Sequence, residues 1–212
     1  MITVKIFVFN PFQENTYLLH DESRECVMID AGCYHSNEKK QLDEYIQKQN
    51  LTCKKLVNTH CHVDHILGNA YVARNYGPEI FSHKDDSYLI NEASEHGQIF
   101  GFNVEDPPAP TQYLEDNSEL HFGNSVLKVF HVPGHSPGSI ALYSPEQSFI
   151  IVGDVLFKGS IGRTDLSGGD YDQLMKSIFT RLMTLPPNTV VYPGHGPATT
   201  IHEEALSNPF LA

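Results

Sequence analysis

The segment Thr59–His65 reads T-H-C-H-V-D-H, and it constrains the fold more than any other because it holds four metal-competent side chains: His60, His62, Asp64 and His65. Residues two apart lie about 200° apart around a helix, so His60 and His62 could share an ion only from an extended segment or a turn. The preceding apolar run Lys55-Leu56-Val57-Asn58 indicates a short strand. The sequence therefore predicts a metal site where a strand ends, and the absence of the spacing H-E-x-x-H excludes a helix-borne protease site.

Three later segments repeat this order, in which a strand-forming run ends in a turn and is followed by a metal-competent side chain. The runs 126–132, 148–152 and 189–192 are rich in β-branched and aromatic residues. The residues that follow their turns are His135, Asp154 and His195. Because strand ends can meet at one edge of a sheet, the sequence predicts that these side chains converge on one rim.

The seven candidate ligands divide by their chemistry into two groups and a bridge. Three imidazoles suit one ion, and we assign them to His60, His62 and His135. A carboxylate with two imidazoles suits a second ion, and we assign these to Asp64, His65 and His195. Asp154 has two carboxylate oxygens and can bridge both ions. The set holds no thiolate, which argues against a closed structural zinc site, so we predict two catalytic divalent ions per chain, with zinc preferred and iron or manganese as alternatives.

Cys61 lies between two of these candidates, but the alternation of an extended chain points it away from them, so we interpret it as a packing residue. The other histidines have no partner at metal spacing, and we interpret them as surface or structural residues: His20, His35, His83, His96, His121, His131 and His202.

Length and charge narrow the function classes. At 212 residues the chain is predicted to form one domain, residues 1–212, with a substantial core. The net charge is −12 with neutral histidine, and no basic run is present, so nucleic acid is excluded as a partner. The four cysteines lack a disulfide framework, and neither a signal peptide nor a membrane-spanning stretch is recognisable, so we predict a cytoplasmic protein that does not bind membranes. The sequence leaves the oligomeric state open.

Helix-forming and strand-forming blocks recur in both halves, which favours sheets flanked by helices. Strands are predicted at residues 2–9, 16–20, 26–29 and 139–143, besides those that precede the ligands. Helices are predicted at residues 36–50, 66–76, 84–91 and 171–182, with Ser36 as the cap of the first. Thr200 is predicted to cap a last short helix, and residues 95–112 are predicted to form an irregular loop that either lines a pocket or covers the core.

The segment Gly134-His135-Ser136-Pro137-Gly138 matches the G-x-S-x-G nucleophile elbow of serine hydrolases. An elbow needs the backbone N–H of the residue after the serine, and Pro137 has none. It also needs a helix next, whereas a strand is predicted there. We therefore reject Ser136 as a nucleophile.

Taken together, the H-x-H-x-D-H segment, the later His135, the Gly153-Asp154 pair and the Pro193-Gly194-His195 turn resemble the metallo-β-lactamase superfamily. Within it, the segments 153–165, 13–18 and 193–210 resemble the short glyoxalase II-like hydrolases. The resemblance covers essentially the whole chain. It implies an α/β fold of the four-layer αββα sandwich type and a dinuclear site that hydrolyses thioesters such as S-D-lactoylglutathione with a metal-activated hydroxide. Asp64 would accept a hydrogen bond from that hydroxide and orient it.

The resemblance also assigns a substrate contact. Arg163 falls where classical glyoxalase II carries a glutathione-binding lysine, whereas Asp165 falls where it carries a tyrosine. Arg163 is therefore the candidate substrate-binding residue, with an ion pair to a nearby aspartate as its structural alternative. The further helical domain of the classical enzymes, which contacts glutathione, is not expected within 212 residues.

Other members of the superfamily remain as alternatives. A persulfide dioxygenase resembles this chain through the same motif and through Gly162-Arg163-Thr164-Asp165, and would hold one ferrous ion. A lactonase or β-lactamase has similar ligands, although β-lactamases are exported. The acidic surface disfavours the phosphodiesterases of the superfamily, and the complete ligand set disfavours a non-enzymatic scaffold. A small-molecule thioester is the expected substrate.

Overall fold

Two six-stranded β-sheets pack face to face in the computed structural model, which describes residues 1–211. The first sheet runs antiparallel from β1 to β3 and parallel from β3 to β6. Its strands, in spatial order, are β1 (Thr3–Phe9), β2 (Glu14–His20), β3 (Glu25–Ile29), β4 (Thr52–Val57), β5 (Glu79–Ser82) and β6 (Gln112–Tyr113).

The second sheet is antiparallel except where β10 and β13 pair in parallel. Its strands, in spatial order, are β7 (Glu119–Phe122), β8 (Ser125–His131), β9 (Ile140–Ser144), β10 (Phe149–Gly153), β13 (Val190–Pro193) and β14 (Thr199–Thr200). A small hairpin, β11 (Leu156–Phe157) with β12 (Ser160–Ile161), follows β10.

Helices cover the outer face of each sheet and complete four layers. On the first sheet lie α1 (Ser36–Gln49) and α3 (Asn69–Tyr76), and on the second lie α6 (Tyr171–Ser177) and α7 (Ile201–Ser207). Strand β3 explains the arrangement: Val27 and Ile29 join the core between the sheets, while Cys26 and Met28 pack beneath the helices. Because both faces are buried from Cys26 onwards, residues 26–29 of the strand are all apolar. The predicted αββα sandwich is confirmed.

Two predicted elements are wrong in detail. The helix expected at residues 66–76 is divided into α2 (Val63–Ile66) and α3. Gly68 lies at the break, where its N–H donates to the carbonyl of Ala31 at 2.6 Å; a Cβ at Gly68 would lie 2.8 Å from that oxygen. The predicted loop at residues 95–112 begins as helix α5 (Ala93–Ile99), and only its later part is irregular. A preceding 3-10 turn (Lys84–Asp86) and α4 (Ser87–Asn91) occupy the helix predicted at 84–91.

The helix ends also differ in part from the prediction. His35, not Ser36, precedes α1, and the carboxylate of Glu38 reaches back to accept the backbone N–H groups of Tyr34 and His35 at 2.7 and 2.8 Å. Thr200 does cap α7, because its hydroxyl accepts the N–H of Glu203. The helix predicted at residues 171–182 is α6 followed by a π turn (Ile178–Leu182). Within residues 1–211 no helix combines the length and apolarity needed to cross a bilayer.

Candidate metal centre

The first group of predicted ligands, His60, His62 and His135, meets between the ends of β4 and β8. The Nδ1 atom of His62 lies 2.9 Å from Nε2 of His135. The ring of His60 stands edge-on to both, with centroids 4.9 Å from His62 and 4.8 Å from His135. The three residues can each direct one nitrogen into a common space.

The second group, Asp64, His65 and His195, lies next to the first. Nε2 of His195 is 3.1 Å from Oδ2 of Asp64, and Nε2 of His65 is 3.6 Å from the same oxygen. His60 and His65 connect the groups, with ring centroids 4.1 Å apart. The structure therefore brings both predicted groups into one continuous cluster.

Asp154 lies between the two groups. Its Oδ2 is 3.7 Å from Nε2 of His135 and 3.5 Å from Nε2 of His195, while its Oδ1 is 3.5 Å from Nε2 of His65. Metal–ligand bonds of about 2.0–2.2 Å place neighbouring ligands of a tetrahedral ion about 3.3–3.6 Å apart. The contacts of Asp154 have the spacing that a bridging carboxylate requires.

The buried polar atoms of the cluster test whether a cation fits. Nε2 of His60, Nε2 of His65 and Oδ1 of Asp154 are buried and have no hydrogen-bond partner among residues 1–211. Buried polar atoms are almost always paired, because an unpaired one costs free energy. A Cβ on Gly194 would collide with Oδ1 of Asp154, so the absence of a side chain at this position makes room for that oxygen. Divalent ions ligated by nitrogen and oxygen would satisfy these atoms.

The second ring nitrogen of four ligands is held by a neighbouring oxygen. Nδ1 of His135 bonds the Arg163 carbonyl at 2.8 Å, and Nδ1 of His195 bonds the Phe12 carbonyl at 3.0 Å. Nδ1 of His60 lies 3.2 Å from the Thr59 hydroxyl, and Nδ1 of His65 lies 3.0 Å from the Asp30 carboxylate. Such contacts fix the orientation of a ring, so that Nε2 of each of these histidines faces the cluster.

The two groups differ in their electrostatics. Burial, reinforced by the neighbouring imidazoles, lowers the pKa of His60 well below its usual range and that of His62 to about 3. In the second group, burial also opposes the charged form of His65, but Asp64, Asp154 and Asp30 outweigh it and raise its pKa. His60 and His62 are therefore neutral imidazoles, whereas His65 of the second group is surrounded by carboxylates.

The sequence profile of the metallo-β-lactamase superfamily matches residues 9–195. The chain belongs to this superfamily. A probable metallo-hydrolase of Bacillus subtilis, YqgX, is 37% identical over 95% of this chain and 93% of its own. The hydroxyacylglutathione hydrolase GloC of Haemophilus influenzae is 35% identical over 99% of this chain and 98% of its own. The bovine mitochondrial persulfide dioxygenase ETHE1 is 31% identical over 92% of this chain and 70% of its own.

Solved structures of the superfamily agree with this assignment. The B3 metallo-β-lactamase BLEG-1 superimposes with a TM-score of 0.91 at 33% identity, covering 99% of this chain and all of that one. TTHA1623 in a di-iron-bound form superimposes with a TM-score of 0.89 at 38% identity, covering 98% of this chain and all of that one. The predicted superfamily and a metal-binding His/Asp cluster are therefore established, while the identity of the metal stays a prediction.

Asp30, which was not among the predicted site residues, supports this superfamily site from outside. One of its oxygens accepts the N–H of Thr59 at 2.7 Å, and the other accepts the Thr59 hydroxyl at 2.6 Å and faces Nδ1 of His65. Asp30 also lies near His60, but it faces the outer nitrogen of His65 and acts as a support. It directly follows β3, so the pattern of a strand followed by an acidic residue could have revealed it.

Asp86 was also missed, and it ties together the two loops that carry the first group. Its buried carboxylate accepts the N–H of Cys61 at 3.0 Å, the N–H of Gly138 at 2.6 Å and the hydroxyl of Ser136 at 2.8 Å. Ser136 is fully buried and also bonds Ser139, which agrees with its rejection as a nucleophile. The Cys61 side chain packs in an apolar cluster, as predicted.

Arg163 lies beside the cluster through its backbone, while its side chain is paired elsewhere. Nε and one terminal nitrogen of its guanidinium each donate to a different oxygen of Asp165 at 2.7 Å. Both side chains are exposed. This is the ion pair expected under the structural alternative, so the substrate contact of Arg163 stays a proposal.

His83 and His131 form a pair that the sequence analysis did not foresee. Their rings stack with centroids 4.1 Å apart and planes inclined by 10°, beside Asp85. The lone pairs of imidazole nitrogens lie in the ring plane, so parallel stacked rings cannot direct both at one ion. His131 Nε2 instead bonds the carbonyl of Pro137 at 2.8 Å. This pair is consistent with structural histidines.

Proposed function

We propose that this chain is a dinuclear, metal-dependent hydrolase of thioesters of the S-D-lactoylglutathione type. The observation that carries the proposal is the position of Asp154, whose carboxylate lies within 3.7 Å of histidine nitrogens from both groups. The similarity of the chain to a hydroxyacylglutathione hydrolase, over nearly the full length of both proteins, supports a thioester as the substrate. We further propose that residues 1–212 act as one domain on a small molecule, with neither nucleic acid nor membrane as a partner.

Two bound divalent ions, for which we propose zinc, would lower the pKa of a water molecule to about 7 and polarise the thioester carbonyl. Asp64 would accept a hydrogen bond from that water and aim it at the carbonyl carbon. Burial opposes the charged form of Asp64, but His65 and the hydrogen bond from His195 outweigh it and hold its pKa below the usual value, so it is an ionised acceptor. A thiolate leaves readily, so the reaction needs no further general acid.

Purified protein, stripped of metal and reconstituted with zinc, manganese or ferrous iron, tests the proposal against a panel of substrates. The panel contains S-D-lactoylglutathione, other acyl thioesters, a lactone and a β-lactam. We expect thiol release that requires two ions per chain and stops on chelation. Ser136→Ala is the matched control, because its buried hydroxyl does not face the cluster. Chelator-resistant turnover, or hydrolysis of the lactone or β-lactam alone, would overturn the thioester assignment.

A persulfide dioxygenase is the second candidate, and its support is the 31% identity to the bovine enzyme. This reaction needs one ferrous ion and consumes oxygen. An oxygen electrode with glutathione persulfide, together with elemental analysis, separates the two candidates. One tightly held iron, oxygen uptake and no thioester turnover would replace the hydrolase by the dioxygenase.

A further inference from the structure

Two half-exposed phenylalanine rings meet beside the second ligand group. Phe12 belongs to the turn between β1 and β2, and Phe100 follows α5, yet their rings form an edge-to-face pair with centroids 5.4 Å apart. Phe12 is 42% exposed and Phe100 is 49% exposed, and the neighbouring Ile99 is 75% exposed. Large apolar side chains that cluster on a surface commonly mark a binding site. We name Phe12, Phe100 and the ring beneath them, Phe102, the aromatic shelf.

The base of the aromatic shelf is fixed to the metal-binding segment. The ring of Phe102 is buried 5.5 Å from that of Phe12, and it packs with Val63 and Leu67. Val63 lies between His62 and Asp64 in the sequence. The shelf is therefore built directly on helix α2, which carries Asp64.

The turn that carries Phe12 is tied to two ligands of the second group. The Phe12 carbonyl accepts a hydrogen bond from Nδ1 of His195, and the Asn10 side chain donates to the backbone carbonyl of Asp64 at 2.9 Å. The N–H of Phe12 in turn donates to the Asn10 side chain at 3.0 Å. The two bonds of Phe12 use its backbone atoms, so its ring takes part in neither of them.

We propose that the aromatic shelf binds the apolar part of the substrate acyl group, next to Asp64 and His195. Arg163, the cationic residue beside the centre, is joined to the first group through His135, so the two features flank different ligand groups. An apolar chain on the shelf would cover ring surface that water now contacts, and this burial is favourable. The identity of the bound part as an acyl group rests on the proposed function, and the preferred substrates are then acyl thioesters longer and more apolar than lactoyl.

Binding of hydroxamates to the zinc-loaded protein tests the shelf without any turnover. Acetohydroxamate reports the metal centre, and octanohydroxamate adds an apolar tail. We expect the longer compound to bind at least roughly tenfold more tightly to the wild type, since each buried methylene is favourable. In Phe12→Ala/Phe100→Ala the ratio should fall below about threefold, while acetohydroxamate binds as before, which verifies that the centre is intact. Phe179→Ala, a phenylalanine of similar exposure in the π turn, should keep the wild-type ratio.

The same variants are then assayed with acetyl, butanoyl and octanoyl thioesters of one thiol. We expect kcat/KM to rise with chain length in the wild type and in Phe179→Ala, and the rise to disappear in the double variant. An unchanged hydroxamate ratio in the double variant would overturn the shelf as a binding site. The double variant could lose the preference for octanohydroxamate while neither the wild type nor any variant hydrolyses a thioester. That result would support the shelf as a binding site but refute the proposed function and, with it, the acyl group as the ligand.

Discussion

The carboxylate of Asp30 lies 3.0 Å from Nδ1 of His65, on the side of the ring that faces away from the other ligands. Asp30 is buried and is held in turn by the backbone and hydroxyl of Thr59. One aspartate thus orients a ligand of the second group and also anchors the residue that precedes His60. The histidine–carboxylate contact raises the basicity of the ring and fixes which nitrogen faces the metal.

Replacement of Asp30 should weaken the binding of the second ion more than that of the first. We expect Asp30→Asn to lower the affinity for the second ion about 10- to 100-fold, because the neutral amide cannot hold His65 as the carboxylate does. Zinc titration in competition with a chromophoric chelator measures the two binding steps. Asp85→Asn removes an exposed carboxylate that faces none of the ligands and should leave both steps unchanged. Equal weakening of both steps would assign Asp30 to the fold alone.

Loss of Asp154, the proposed bridging ligand, should affect both ions, whereas loss of a ligand of one group should affect mainly one ion. We expect Asp154→Ala to abolish turnover and to lower the content of both ions, because its oxygens face histidines of both groups. His195→Ala should lose mainly the second ion. Elemental analysis after dialysis gives the two contents, and an Asp154→Ala protein that keeps two ions and most of its activity would show that the bridge is another residue.

Substitutions at Arg163 and at Asp165 should change the KM for glutathione thioesters in opposite directions. If Arg163 binds a substrate carboxylate, Arg163→Ala should raise KM for glutathione thioesters about tenfold or more, through loss of a charge-assisted contact. Asp165→Asn frees the guanidinium from its bidentate partner and should lower that KM. Thioesters of an uncharged thiol should respond to neither change. Equal responses to charged and uncharged thiols, with a lower Tm, would make the arginine a structural residue.

Chelation and replacement of the buried Ser136 together distinguish a metal-activated nucleophile from a serine nucleophile. Ser136→Ala should leave kcat/KM within about tenfold of the wild type, because its buried hydroxyl bonds Asp86 and Ser139. A chelator should stop both proteins, and added metal should restore both. Loss of activity in Ser136→Ala, together with chelator resistance of the wild type, would reverse the choice of nucleophile.

Acid stability should depend on Asp21, which joins the β2–β3 turn to the β7–β8 turn. Burial opposes its charged form, but hydrogen bonds from Ser125, Ser23 and Asn124 outweigh it and lower its pKa to about 2, from 3.8. A depressed pKa stabilises the fold above the unfolded-state value, and this stabilisation is lost as the pH falls towards 2.

Asp21→Asn should therefore reduce the free energy of unfolding by about 1–2 kcal/mol at pH 7. The difference from the wild type should stay constant down to about pH 5 and narrow between about pH 4 and 2. Urea denaturation across this range measures it. Asp106→Asn, an exposed aspartate without these hydrogen bonds, should show no such narrowing.

The break between α2 and α3 illustrates where the sequence was insufficient for the fold. The apolar pattern of residues 66–76 is compatible with one helix, and Gly68 within it is tolerated in helices. The break arises because the Ala31 carbonyl, from the loop after β3, approaches Gly68 and accepts its N–H. Such a contact joins segments distant in the chain, and no local pattern encodes it.

Local patterns in the sequence were enough to identify the ligand candidates and the strand ends that carry them, because apolar periodicity and turn residues act over a few positions. His60, His135, Asp154 and His195 could each be recognised from the short run before it. The residues that support these ligands could be identified only from the folded chain: Asp30 contacts His65 across 35 residues, and Asp86 contacts Ser136 across 50. Those contacts, like the edge-to-face contact of Phe12 with Phe100, exist because two sheets and their loops pack together, and packing depends on the whole chain.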